Sequence, residues 1–378
     1  MSFSEQNSRQ LFERCQNNQV KEALSLLDRV TEMRINVNQR FIGGCTCAFF
    51  AAFNGSVELM KKLIECGADT SITEDNGVTP FAVACVQGKP GIVECLLSSD
   101  SGQRLDQNQI VTGLTAACQY GSPQIVRQLL ATGVDINMRI DDEGATLLYA
   151  AVETAQEEVV TLLLGNGAKT NLPRSHYYPI QVATQISHYG IMERLLKAKA
   201  DPNAQTSDGA TAMLIAAQNG NIRAVDLLAK YKASPNIQMT TDGSSCLYVA
   251  CARHHYNTAI ALMEVPGIDV DLAMKDGSTV LHVLSQYGNV KLITELFKRF
   301  PSIKFDTKRK DGLTPLLTAA RHGQHEICQL LYEHGADIHV QVDGETPLDV
   351  ATRYGRSDTI RVLKEALEKE RSKQQQQQ

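Results

Sequence analysis

Apolar and polar positions along this chain fall into short helical periods that recur. The clearest stretch runs from Lys310 to Val340. Leu316, Ala319 and Ala320 share one face of a short helix, and their small side chains let a neighbour approach closely. Thr314 precedes that helix as a candidate N-cap. Pro315 follows at the first helical position, where its missing N–H costs nothing. Gly323 ends the helix. Ile327, Leu330 and Leu331 recur at helical spacing and mark a second helix, which Gly335 can close in the left-handed conformation. Asp311-Gly312, ahead of both, reads as a turn. One turn and two short helices cannot bury these faces alone. They need copies of themselves on either side.

The copies are present. With Thr314 as the marker, the equivalents are Thr46, Thr79, Thr112, Thr146, Tyr178, Thr211, Ser245, Thr279 and Thr346, with neighbours about 33 residues apart. The turn and helix start recur as Gly77-Val78-Thr79-Pro80-Phe81, Gly312-Leu313-Thr314-Pro315-Leu316 and Gly344-Glu345-Thr346-Pro347-Leu348. The helix ends recur as Gly67-Ala68-Asp69, Gly167-Ala168 and Gly335-Ala336-Asp337. On these residues the chain resembles the ankyrin-repeat family, over residues 39–367. The resemblance implies an all-α ankyrin-repeat solenoid: about ten helix-turn-helix repeats joined by β-turn or hairpin loops.

Residues 1–38 read as a degenerate N-terminal capping repeat. Leu11, Phe12, Val20, Ala23, Leu24 and Leu27 supply two helical faces, and Glu5, Gln6, Asn7, Arg9 and Gln10 suit a side turned to water. Residues 357–371 read as a final charged helix, with Ile360, Leu363 and Leu367 on one face and Glu365 with Lys369 as an i,i+4 pair. Residues 368–378 read as a charged, glutamine-rich tail whose end, Gln374–Gln378, frays.

Several positions depart from the repeat. Ser98–Arg104 replaces Gly-Ala-Asp and Gly113 replaces the proline after Thr112, so a longer loop and a hinge are expected there. Bends are also expected at Val265-Pro266-Gly267 and Phe300-Pro301-Ser302. The resemblance implies that a histidine after Thr-Pro-Leu ties adjacent turns together. Only His282 keeps it. Tyr149 and Tyr248 are expected to substitute in part, and Phe49, Ala82, Thr115, Gln181, Leu214, Leu317 and Asp349 are not.

The chain has 378 residues and a net charge of -5, which argues against a general nucleic-acid binder. Its 10 cysteines are scattered, and Cys85, Cys118 and Cys251 occupy one small-residue position of the repeat. That pattern suits reduced core thiols in an intracellular protein. The first residues are polar, with no secretory signal evident, and the most apolar stretch, Cys47–Phe53, is too short to span a bilayer. A soluble, cytoplasmic protein is expected. A bacterial effector acting in a host cytosol would read the same way.

No catalytic constellation stands out. There is no phosphate loop and no nucleophile elbow. Cys45-x-Cys47 lacks the spacing of a zinc knuckle. Arg253-His254-His255-Tyr256 is the nearest thing to a cluster, and it reads as a solvated loop in contact with a partner. No enzymatic activity, metal or cofactor is expected.

The resemblance places partner binding on the concave side, at the turn tips and the two residues after the Ala pair. The candidate partner-binding residues are Tyr120, Arg253, Tyr287, Lys308, Arg309, Lys310, Arg321, His322, Arg353 and Tyr354, since aromatic and Arg side chains anchor interfaces. Tips at Glu74-Asp75 and Asp141-Asp142-Glu143 are acidic and the C-terminal row is basic, so a groove with one anionic and one cationic end is expected. The function implied is a scaffold or adaptor whose basic section takes an acidic or phosphorylated segment. The alternative is the substrate-recognition subunit of a multi-subunit enzyme, such as a ubiquitin ligase or phosphatase. The partners expected are one or more proteins, met as a monomer or within a hetero-complex. By the same resemblance, Asn38, Asn137, Asn171, Asn203 and Asn236 occupy positions that asparagine hydroxylases modify in some members.

Overall fold

The structure is a computed structural model that describes residues 3–98 and 105–376. Those residues form helices and turns, with an isolated bridge between Val342 and Glu345. None of their helices is long and apolar enough to cross a membrane. The chain divides into two compact units, Met1–Ser175 and His176–Gln378.

The N-terminal unit pairs α1 (Phe3–Gln16) with α2 (Val20–Leu27), and α3 (Cys47–Asn54) with α4 (Val57–Glu65). It continues with α5 (Pro80–Val86) and α6 (Pro90–Ser98), α7 (Gln107–Gln119) and α8 (Pro123–Leu130), and α9 (Leu147–Glu153) and α10 (Glu157–Gly165). The C-terminal unit begins with α11 (Pro179–Gln185) and α12 (Tyr189–Lys197), then α13 (Ala212–Gln218) and α14 (Ile222–Lys230). Next come α15 (Cys246–Ala252) and α16 (Tyr256–Met263), then α17 (Val280–Tyr287) and α18 (Val290–Arg299). It ends with α19 (Pro315–His322) and α20 (His325–Glu333), and α21 (Pro347–Arg353) and α22 (Ser357–Gln376). Within each unit odd-numbered helices pack on odd and even on even, giving an inner and an outer layer.

The inner helices start where the pattern places them. Thr46, Thr79, Thr146, Thr211, Ser245, Thr314 and Thr346 each accept a hydrogen bond from the amide three residues on. The inner layer packs through the small-residue pair: Ala51-Ala52, Ala84-Cys85, Ala117-Cys118, Ala216-Ala217 and Ala319-Ala320 are all fully buried. Burial pushes the thiols of Cys85 and Cys118 up to about 12, so they are inert core groups.

Successive repeats are joined by a side-chain ladder at the loop that follows each outer helix. In the N-terminal unit, Asn38 Oδ1 accepts from the Asp69 amide at 2.7 Å and Asn137 Oδ1 from the Lys169 amide at 2.8 Å. In the C-terminal unit the rungs are Asn203 to Ser234 (2.7 Å), Asn236 to Asp269 (2.8 Å), Asp271 to Lys304 (3.0 Å) and Asp306 to Asp337 (3.1 Å). Each rung contributes about 1 kcal/mol net. The tips carry a second, backbone ladder: Asp75 N to Gly43 O, Thr240 N to Asp208 O, Lys275 N to Asp242 O and Lys310 N to Asp276 O. Gly209 and Gly243 are required there. Each has positive φ, and a Cβ would lie 2.6 Å from Thr240 N or 2.9 Å from Lys275 N.

Several positions that depart from the repeat have a definite local structure. The hinge over Ser98–Arg104 falls on residues 99–104, outside the described residues. Immediately after them there is no loop: α7 starts at Gln107, capped by Asp106 and Gln109 in a reciprocal pair, and Thr112 lies inside the helix. Gly113 is there for packing, since a Cβ would sit 2.5 Å from Phe81 Cε1 and 2.9 Å from Cys85 Sγ. The two junctions expected to bend both keep the ladder. Gly267 takes the positive-φ conformation of Gly67, and each accepts from an asparagine Nδ2, of Asn236 and Asn38 respectively. Lys304, after Phe300-Pro301-Ser302, donates to Asp271. Asn7, expected to face water, is buried and donates to Met33 O at 2.9 Å. Helix α22 runs to Gln376, through part of the stretch expected to fray, and Glu365 pairs with Arg361 at 3.1 Å.

The histidine tie is present and has a glutamine counterpart. His282 Nδ1 accepts from the Thr279 amide at 3.1 Å while Nε2 donates to Leu313 O at 3.1 Å. Gln181, not expected to do this, reproduces it. Its Oε1 accepts from the Tyr178 amide at 2.9 Å and its Nε2 donates to Ala204 O and Ala210 O, both at 2.9 Å. The amide that a hydroxyl cap would satisfy, that of Gln181, donates instead to the Tyr178 carbonyl at 3.0 Å.

Two predictions follow from this packing. Gly113→Ala gains about 1 kcal/mol of helix propensity but crowds two fully buried side chains, at a cost of about 1–3 kcal/mol, so thermal melts should show a loss. Gly165→Ala, with nothing within 4 Å of its Cβ, should instead raise the melting temperature. For His282, burial holds the imidazole down at about 4, because a second proton would also meet the Thr279 N–H. The unfolded chain therefore binds the extra proton between about pH 6.5 and 4. Stability present above 6.5 is lost as pH falls through that window, by up to about 3 kcal/mol. His282→Gln, which can hold the Gln181 geometry, should fold and show a smaller drop in melting temperature between pH 7 and about pH 4.5. An unchanged drop would refute this.

Candidate functional site

The turn tips and the C-terminal ends of the inner helices form the inner face of each unit. Helix ends place side chains there because the chain leaves the buried small-residue pair and turns back toward the outer layer. In the C-terminal unit Arg253, Tyr287, Arg321, His322, Arg353 and Tyr354 stand at the ends of α15, α17, α19 and α21.

Two aromatic assemblies form. His254, at φ 61°, sets its ring 4.5 Å from that of Tyr287, with its Nδ1 2.6 Å from the Tyr256 hydroxyl. The neighbouring His255 is a structural tie, its Nε2 3.1 Å from Gln218 O. Further along, the guanidinium carbons of Arg321 and Arg353 lie 5.3 and 5.2 Å from the centre of the Tyr354 ring. Tyr287 and Tyr354 remain 44% and 39% exposed, so both rings are available to a partner.

The charges are unequal in availability. Arg309 pairs with Asp311 at 3.1 Å and Arg353 with Glu345 at 2.8 Å. Arg253, Lys308, Lys310 and Arg321 are exposed and carry no ion pair among the described residues. His322 does not belong with the cations. Partial burial, then Arg321, Arg356 and Arg309, hold its pKa below the usual histidine value, so it is neutral at neutral pH.

Tyr120 stands apart, 61% exposed at the end of α7 in the other unit. The acidic tips of that unit carry their own counter-charge. Arg174 lies 3.1 Å from Asp141, 3.0 Å from Glu143 and 3.1 Å from Glu153, and Arg40 pairs with Asp75 at 3.0 Å. These two arginines offset part of the negative charge of the tips.

A groove of about 690 Å³ opens on the inner face of the C-terminal unit, between α11, α13, α15 and the tips around Asp208, Asp242 and Met274. Only Arg253 of the expected site residues lines it. Tyr177, Met239, Tyr248 and Met274 were missed by sequence reasoning. The available signal was an apolar residue at a tip: Met239 and Met274 open successive turns, donating to Ser244 O and Ser278 O.

Comparison with known proteins agrees with this architecture. The family described as Ankyrin repeats (3 copies) matches residues 11–109, 102–174, 180–274, 265–342 and 281–374. The human SMC5-SMC6 complex localization factor protein 1 (Homo sapiens) is 36% identical over 99 residues, covering 26% of this chain and 9% of that protein. The Nuclear factor NF-kappa-B p105 subunit of Gallus gallus is 29% identical over 211 residues, covering 53% of this chain and 21% of that protein. The chain thus spans from about a tenth to a fifth of the length of these relatives. Among solved structures, the human ASB11 ankyrin repeat domain superposes with a TM-score of 0.52 at 23% identity, over 60% of this chain and 98% of that one. The helix pairs, the capped inner helices and the match along most of its length place this chain in the ankyrin-repeat family.

Proposed function

We propose that this chain is a non-enzymatic interaction protein that binds a segment of a partner protein on the inner face of its C-terminal unit. Ankyrin repeats generally mediate protein–protein interactions, and the residues here are spent on repeats. The observation that carries the finer reading is the set of unpaired cations, Arg253, Lys308, Lys310 and Arg321, in the unit that also presents the half-exposed rings of Tyr287 and Tyr354, with Arg321 against the Tyr354 ring. Such a face suits an acidic or phosphorylated segment, because guanidinium groups bind carboxylate and phosphate in a bidentate manner while the rings supply apolar area with few rotors. The relatives named above are a complex localization factor and a subunit of a nuclear factor, both names of proteins that work in assemblies.

The test is affinity capture from extract with the wild-type chain beside an Arg253→Glu, Arg321→Glu, Arg353→Glu variant, followed by binding measurements on the recovered partner. The variant should bind at least about tenfold more weakly, and wild-type affinity should fall with added salt. Equal recovery of every partner by both chains would overturn the assignment. A catalytic subunit among the captured proteins would favour a recognition arm of a larger enzyme.

A further inference from the structure

The groove beside the basic row has the opposite chemistry. We propose that it receives a lysine or arginine side chain of the bound partner segment, so that this face recognises a segment of split charge. The proposal rests on the reading that the inner face binds a protein segment, and it adds a site that this reading does not require.

The walls support it. Tyr177 and Tyr248 face the groove, and aromatic faces attract cations. Met239 and Met274 offer polarisable, adaptable thioethers along which the methylene stem of a basic side chain can lie. Ile215 adds a buried apolar surface. Tyr177 is 49% exposed, which leaves its ring uncovered by the chain itself.

Two carboxylates complete the lining. Asp208 and Asp242 sit at adjacent tips and neither belongs to an ion pair among the described residues. Each uses one oxygen locally. Asp208 Oδ1 accepts from the Thr206 hydroxyl, and Asp242 Oδ1 accepts from the Ser244 amide at 2.9 Å. The second oxygen of each is left for a ligand. No lysine or arginine among the described residues pairs with either carboxylate. Arg253 lines the groove at the helix end, and Lys275 donates instead to Thr240 O. The Tyr248 phenol registers the same field: burial raises its pKa first, with Asp276 and Asp242 adding to the rise against Arg309. A cationic side chain entering here meets aromatic faces, a flexible apolar wall and two carboxylates. An acidic one meets repulsion until it reaches Arg253.

The experiment is a double-mutant cycle with selected peptides. Random dodecapeptides displayed on phage are selected on the full chain, and the enriched sequences are inspected for a basic residue at a fixed position. The leading peptide and a version with norleucine at that position are then titrated calorimetrically against wild type and an Asp208→Asn, Asp242→Asn variant. Asparagine keeps the Oδ1 acceptor of each turn, so matched circular-dichroism melts are expected.

The norleucine replacement should weaken wild-type binding about tenfold and binding to the double variant less than twofold. Absence of a basic preference, or equal losses on both proteins, overturns the proposal. The basic row is tested separately by Arg321→Glu with Arg353→Glu. Loss of peptide binding there, with indifference to Asp208 and Asp242, leaves the row standing and removes the pocket. Intact coupling at the aspartates with indifference to the arginines does the reverse. A chain that enriches no peptide overturns both.

Discussion

The loops between repeats depend on one constraint. Each loop that follows an outer helix must lie where its side-chain acceptor meets an amide of its neighbour. An Asn or Asp side chain does this, from Asn38 through Asp306, by accepting from a backbone amide 31 to 33 residues on. The rungs are worth little singly, yet they set the spacing at which small-residue pairs on successive inner helices meet. Once that spacing is set, the tips can share backbone hydrogen bonds, and His282 and Gln181 can reach across to the next turn. The side chains that point into the inner face are then arrayed at fixed intervals on a scaffold assembled from nearest-neighbour contacts.

The fold was legible because its signals are local and repeated. Threonine caps, first-turn prolines, closing glycines and paired alanines each have a mechanism that holds wherever they recur. The departures were misread for a physical reason. Gly113 breaks the turn pattern, but its meaning lies in Phe81 and Cys85, two side chains on the preceding inner helix. A missing side chain says nothing about which neighbour needs its room. Likewise Gln181 carries both a donor and an acceptor, and only the path of the next loop shows that both are used.

The candidate site was legible in part. Exposed aromatics and arginines do fall at the ends of inner helices, since the repeat pattern fixes where those helices stop. Charge availability was not legible. Arg174 gathers three carboxylates, Arg309 and Arg353 find partners within their own repeats, and partial burial with neighbouring arginines holds the His322 pKa below the usual histidine value. The groove escaped altogether, because Tyr177, Asp208, Asp242 and Met274 come from four successive tips and become one surface only when the repeats stack.

The contact of Gly113 with Phe81 bears on how this chain was assembled and on how it can be re-engineered. An array held only by rungs and small-residue faces is modular, and a repeat can be duplicated, deleted or shuffled without choosing its neighbour. The α5–α7 junction is different. A phenyl ring on one helix is matched to a vacancy on the next, so these two repeats can be inherited or moved only together and in this order. Cuts made to trim or graft this protein should leave that pair together.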